Sequence, residues 1–410
     1  MDNKKLWSED HKGRDPFGVS FRRSSTTNDR GSEASTRVET PDGSLTGAVW
    51  DKYRDKAYTG LSNLGNTCFL NSCLQALNHT YELHEILDVP NMEKNMKLDI
   101  PDTQMMVEWN ELRDIIWKND GVVTPNKFVM NVHRIAKIKK RDIFTGWSQN
   151  DMSEFLLFII EALHNSISRS ISIKITGKPE NNVDNVAIKC YEMLQQVYKK
   201  EYSEIMDLFY GMYVSEITSM DSKIIHSTHP EHFFLLDLPI PQDRIKINSS
   251  GIKLEPINLL DCFDMYVRVE IMQGENAWFN DKTNQREDIL KRITFWSLPK
   301  VLIITLKRFT PDGKHKLDDL IDFPLDDMDL SKYVCGYNPS QYKYELYAVC
   351  NHIGNTYMGH YTAFVKNAGD EWIHYNDQHV TKLTTSVKTN VKQQIVTPMA
   401  YCLFYRKKNT

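Results

Sequence analysis

The chain is predicted to be an α+β protein, and a change of period along it carries that prediction. From Tyr58 to about Glu204 apolar residues recur at helical spacing, with Trp109, Leu112, Ile115 and Ile116 as one stripe and Phe155, Phe158, Ile159, Ala162 and Leu163 as another. From about Phe209 the pattern turns to short β-like runs: FFLLDLPIP, VLIITLKRF, YELYAVCNHI, HYTAFVK and MAYCLFYRKK. Helices followed by strands indicate α+β rather than alternating βαβ units.

Ahead of both, residues 1–56 are polar, as in RRSSTTNDRGSEASTRVETPDGS, and bury too little apolar surface to offset the entropy of ordering. A flexible tail is expected there. The 50 Lys and Arg nearly cancel the 54 Asp and Glu, which argues against a sequence-independent nucleic-acid binder. The apolar runs FLLFII and VLIITL fall well short of the roughly 20 residues that span a bilayer, so no membrane partner is expected. The first residues carry charge without an apolar segment behind them, and no secretory signal is read. Seven sparse cysteines do not form a disulfide framework. An intracellular, reducing compartment, cytoplasmic or nuclear, is the expectation.

The stretch GLSNLGNTCFLNSCLQAL, residues 60–77, runs from a Gly/Asn-rich turn into an apolar helix. With Thr67 or Asn66 as cap, Cys68 falls in the first helical turn, where free amides and the helix dipole favour a thiolate. Cys73, five residues on, reads as a core residue. A base for Cys68 must come from elsewhere. The segment GHYTAFVKNAGDEWIHYND has hairpin form, two strand-like runs around the turn NAGD. That hairpin would bring Asn376 or Asp377 beside His360, so that a side-chain oxygen holds the imidazole tautomer a base requires. Because adjacent strand residues point to opposite faces, only one of the two is expected to do so on a regular strand.

These two segments resemble the cysteine and histidine boxes of the ubiquitin-specific proteases, in order and at a plausible separation. GWSQNDMSEFLLFIIEAL (146–163) is similar to the family's glutamine-led helix, and LPKVLIITLKRF (298–309) to a strand upstream of the histidine box. The resemblance covers roughly residues 58–407. It implies a papain-like fold with a helical thumb at about 57–205, β fingers at about 206–300 and a β-rich palm at about 301–408, together a catalytic domain over 57–408. It implies Cys68 as nucleophile, His360 as base, Asn376 as orienter with Asp377 auxiliary or alternative, and Asn63 as oxyanion donor. The activity implied is hydrolysis after the C-terminal glycine of ubiquitin, by a monomeric catalytic domain that needs no cofactor. Two alternatives stand beside it: a protease for another ubiquitin-like modifier, and an inactive ubiquitin-binding module.

Ubiquitin's tail contains arginine and ends in Gly-Gly, so a protease for it needs acidic groups near a narrow channel. Asp151 and Glu154, three apart, match the family's tail-binding acids, and Gln149 its leading glutamine; Ser148-x-x-Asp151 also reads as a capping box. Gly359 and Tyr361 suit the walls of a slot that admits only glycines. Where many members carry two CxxC pairs for a structural zinc, the matching segments SEITSMDSK (215–223) and IMQGENAWFN (271–280) contain no cysteine. A four-cysteine zinc site cannot form from them. His226, His229 and His232 stand at intervals of three but are not read as metal ligands.

Overall fold

The change from helix to strand falls where the sequence changes period. The computed structural model describes residues 15–23, 52–54, 56, 58–88, 95–118, 120–242, 245–248, 251–254, 256–355, 357–384 and 390–408. In chain order, the elements of the first half are β1 (Gly18–Arg23), β2 (Thr59–Leu61), α1 (Cys68–Asn78), α2 (Tyr81–Asp88), α3 (Pro101–Lys118), β3 (Gly121–Val123), α4 (Asn126–Ile138), α5 (Met152–Ile167), β4 (Ile171–Thr176), α6 (Asn182–Tyr198) and α7 (Glu204–Phe209). All five residues of the α5 stripe are buried. On α3, Trp109, Leu112 and Ile116 are buried while Ile115 is 45% exposed. At 100° per residue Ile115 lies about 120° around the helix from Trp109, on the rim of the stripe.

Every residue of α1 is buried, the polar Asn71, Ser72, Gln75 and Asn78 included. Such a helix needs internal partners for its amides. Gln75 Nε2 donates to Thr59 O at 2.9 Å, tying α1 to β2. Helix α1 lies in the core between α5 and the main sheet, so its first residue opens where helical half and sheet meet.

The second half contributes β5 (Gly211–Ser219), β6 (Ile225–Phe233), β7 (Leu235–Leu238), β8 (Glu270–Met272), β9 (Ile289–Ser297), β10 (Val301–Leu306), β11 (Lys343–Gly354), β12 (Gly359–Lys366), β13 (Trp372–Asn376), β14 (His379–Lys382) and β15 (Ala400–Lys407). The main sheet runs β14-β13-β12-β11-β15-β10-β7, with Met328–Asp329 pairing β11 off this path. Only β10 and β7 pair in parallel within that order. The continuous apolar run of β10 is buried at all six positions, as a strand covered on both faces must be.

A second, antiparallel sheet has the order β8-β9-β5-β6. Its β6 carries His226, His229 and His232. His229 and His232, three apart on the regular part of the strand, point to opposite faces, and His226 falls at a register shift of the ladder. His226 lies instead against the Trp278 ring and 3.9 Å from Glu287 Oε2.

One expectation is corrected. Residues 15–23 belong to the fold: β1 pairs antiparallel with β4 from Gly18 opposite Thr176 to Arg23 opposite Ile171. Phe17 is buried against Tyr191, whose hydroxyl donates to Asp15. Tyr53 is buried too and stacks on Tyr81 at 4.6 Å. The apolar alternation Phe17, Val19, Phe21 is too short to register against the polar stretch that follows it. Apart from residues 52–54 and 56, the rest of the expected tail lies outside the described residues.

Candidate active site

Thr67 is the N-cap residue of α1, but its hydroxyl does not cap the helix. It accepts from Leu64 N at 3.0 Å and donates to Asn63 Oδ1 at 3.3 Å, serving the loop instead. The first amides of α1 are therefore not taken by a capping side chain. The amides of Tyr361, Phe69 and Cys68 itself lean on the Cys68 sulfur and lower its pKa. Burial is the largest influence and acts the other way, as does the Asp377 carboxylate, so the thiol's pKa is raised overall. The predisposition to ionise inferred from helix position is thus outweighed by desolvation at a residue only 3% exposed. Cys73 is fully buried, and its pKa is pushed well above the ordinary thiol value.

The predicted hairpin pairs Lys366 with Trp372 and Ala363 with Tyr375. It sets Asn376 Oδ1 at 2.7 Å from His360 Nε2. An amide oxygen only accepts, so Nε2 carries the proton and Nδ1 keeps the lone pair. Asp377 Oδ2 stands 4.0 Å from the same Nε2. Both residues reach the imidazole because the strand ends at Asn376: Asp377 has φ +50° and opens the turn into β14, where strand alternation no longer applies.

Asp377 is occupied with other partners. Its Oδ2 accepts from Asn63 Nδ2 at 2.9 Å and its Oδ1 from Asn71 Nδ2 at 2.8 Å. Asn63 Oδ1 accepts from the amides of Gly65 at 3.0 Å and Thr67 at 3.2 Å. The Asn63 side chain is thereby fixed at both ends, with one of its two amide hydrogens committed to Asp377. Asn71 was not singled out from the sequence. Its only signal is to be one of four polar residues in a helix that also carries an apolar run.

The expected substrate residues are placed as follows. Gln149 Nε2 donates to Gly359 O and its Oε1 accepts from Gly359 N, both at 2.9 Å, joining the lead into α5 to the start of β12. A Cβ at Gly359 would fall 2.0 Å from His352 Nε2, so the glycine is required by the packing of His352. The Tyr361 ring is buried against His352 at 4.7 Å, and what this residue presents to Cys68 is backbone. Asp151, rather than Ser148, is the N-cap of α5, accepting from Ser153 N at 2.7 Å and Glu154 N at 3.3 Å. Its Oδ2 accepts from Tyr401 OH at 2.6 Å. Glu154 is exposed in the first turn.

No group of three or more His, Cys, Asp or Glu suited to a metal ion occurs among the described residues, and no described helix is long and apolar enough to cross a membrane. All seven cysteines are free and buried.

A buried thiol at the start of a helix that packs on the strand carrying His360, with that imidazole hydrogen-bonded to Asn376, is the arrangement of a papain-like cysteine hydrolase. Comparison with known proteins narrows that class. The chain belongs to the ubiquitin carboxyl-terminal hydrolase family, whose model matches residues 59–405. It is 32% identical over 361 residues to human ubiquitin carboxyl-terminal hydrolase 2, covering 84% of this chain and 54% of that protein. To the Drosophila melanogaster hydrolase Usp2 it is 30% identical over 378 residues, 91% of this chain and 37% of that one. The chain spans about half the length, or less, of these relatives. Its fold is similar to a chain of the SAGA Ubp8/Sgf11/Sus1/Sgf73 DUB module bound to ubiquitin aldehyde, with a TM-score of 0.62 and 24% identity over 87% of this chain and 71% of that one.

Proposed function

We propose that the chain is a deubiquitinating cysteine protease, hydrolysing the isopeptide or peptide bond after the C-terminal glycine of ubiquitin. The observation that carries this is the Asn376–His360 pair, held at 2.7 Å on the strand that packs against the Cys68 helix start. His360 Nδ1 takes the proton from Cys68, and the sulfur attacks the glycine carbonyl. The Asn63 amide and the amides of the first turn of α1 meet the oxyanion; such donors are typically worth about 3 kcal/mol each. His360 then protonates the leaving lysine amine, and water hydrolyses the thioester. No cofactor enters any step.

Residues 57–408 act as the catalytic domain, with thumb, fingers and palm at about 57–205, 206–300 and 301–408. Glu154, exposed above the slot, meets the arginine of the ubiquitin tail, and Asp151 supports it from the helix cap. Gln149 and Gly359 line one wall of the slot, with the Tyr361 backbone near the sulfur. The domain works as a monomer in a reducing intracellular compartment, a reading supported by seven free thiols.

The test is reaction with C-terminal electrophilic probes built on ubiquitin and, in parallel, on other ubiquitin-like modifiers. Labelling by the ubiquitin probe at Cys68, abolished in Cys68→Ala and accompanied by cleavage of linkage-defined diubiquitin, is expected. Preferential labelling by another modifier, or turnover persisting in Cys68→Ala, would overturn the reading.

A further inference from the structure

The turn Asp377–Gln378 is held against the nucleophile's own segments at four points. Leu61 N donates to Asp377 O at 3.0 Å, and Asn63 and Asn71 take the two carboxylate oxygens. At the fourth, Gly60 approaches so closely that a Cβ there would stand 2.4 Å from Gln378 O. Asn71 is 2% exposed, one turn beyond Cys68 on α1, and its Oδ1 is buried without a hydrogen-bond partner. The unsatisfied acceptor of this buried amide is a cost that its donor contacts must offset. What Asn71 supplies that leucine could not is its Nδ2 donor, which reaches Asp377 Oδ1 at 2.8 Å and, at longer range, Leu61 O at 3.3 Å and Ser62 O at 3.4 Å.

We propose that Asn71 is a positioning residue. By fixing Asp377 to the Cys68 helix it holds the Asn63 amide, and the turn that follows Asn376, in register with the nucleophile. The proposal rests on the hydrolase reading above. Asn71 touches no reacting atom and acts through Asp377. Gly60 serves the same docking from β2 by leaving room for the turn.

The test is a double-mutant cycle between Asn71→Leu and Asp377→Ala, read by kcat and KM on a ubiquitin C-terminal fluorogenic amide, with melting temperature measured alongside. Asn71→Leu, which leaves Asp377 Oδ1 without its Asn71 donor, is expected to fold but melt below the parent temperature, lose about tenfold or more in kcat and change KM by less than about twofold. On the Asp377→Ala background the same substitution is expected to cost clearly less in kcat, because the two share the shortest of the Asn71 contacts. An additive loss, or a folded Asn71→Leu with kcat within about twofold of the parent, would overturn the proposal. Should Asn71→Leu not fold, Asn71→Asp, which keeps the shape and sets two carboxylates face to face, carries the test. It is expected to lose activity that the exchanged pair Asn71→Asp/Asp377→Asn regains; no recovery overturns the proposal. Amide exchange at Leu61, whose hydrogen goes to Asp377 O, supplies a readout without substrate. It is expected to accelerate by about tenfold in Asn71→Leu while global protection is kept. If the parent chain turns over no ubiquitin substrate, the hydrolase reading fails, and Leu61 exchange decides the positioning claim alone: acceleration supports it, an unchanged rate overturns it.

Discussion

At Cys68 a helix start and a desolvated site pull the thiol in opposite directions, and desolvation is the larger. A buried thiolate must be stabilised by nearby donors to survive, and three backbone amides do not fully replace water. The resting sulfur is therefore favoured as a thiol, and the proposed attack requires a base to remove its proton. Iodoacetamide alkylation of Cys68, followed by peptide mass mapping, is expected to be slower at pH 7 than for an exposed cysteine. The rate should still be rising as pH passes the ordinary thiol value of about 8.5. A plateau below pH 7 would show a preformed thiolate and refute this. Cys73 should stay unlabelled while the protein is folded, being wholly buried.

Helix α5 shows how one side chain can serve both an element and a site. Asp151 caps the helix through two backbone amides and accepts from Tyr401 OH, whose ring is 6% exposed. Loss of an N-cap costs about 1 kcal/mol, and an orphaned buried hydroxyl about 1–3 kcal/mol. Asp151→Ala should therefore lower unfolding free energy by about 2 kcal/mol or more in urea titration. Asp151→Asn, which caps equally well, should cost less than about 1 kcal/mol. Both should raise KM for a ubiquitin substrate if the carboxylate supports Glu154 in meeting the tail. Equal stability of the two variants would show that the cap contributes nothing. The second sheet shows the converse, that spacing means nothing until the element is known: histidines three apart would share a helix face, but His229 and His232 point to opposite faces of β6.

Across the whole molecule, histidines buried in the neutral form link stability to pH. His79, fully buried with Nδ1 at 2.8 Å from Gln75 O, has its pKa lowered to about 4, by burial first and by the Arg406 charge. His352, 4% exposed beside Lys316, is likewise lowered to about 4, again chiefly by burial. For a base whose folded pKa lies below its unfolded value, the unfolded chain binds the proton first. Stability is complete above the unfolded value of 6.5 and is lost as pH falls from there towards 4. Each group accounts for up to about 3 kcal/mol. Urea midpoints measured from pH 7.5 to 4.5 should fall most steeply below pH 6.5, and His79→Gln should flatten that slope. An unchanged slope in His79→Gln would exclude it as a source.

The sequence by itself determined the fold class and the hairpin that brings Asn376 or Asp377 to His360, because both rest on local periodicity and turn residues. The stripe on α5 and the apolar run of β10 declare their partners' nature without naming them. Only the tertiary structure decided what depends on contact between distant segments. It paired residues 18–23 with β4, where the run is too short to announce itself against a polar neighbourhood. It turned Asp377 out of strand alternation and gave its carboxylate to Asn63 and Asn71, more than 300 residues away in the chain. It also set the ionisation of Cys68, since helix position is written locally whereas desolvation is the sum of everything that packs over the sulfur.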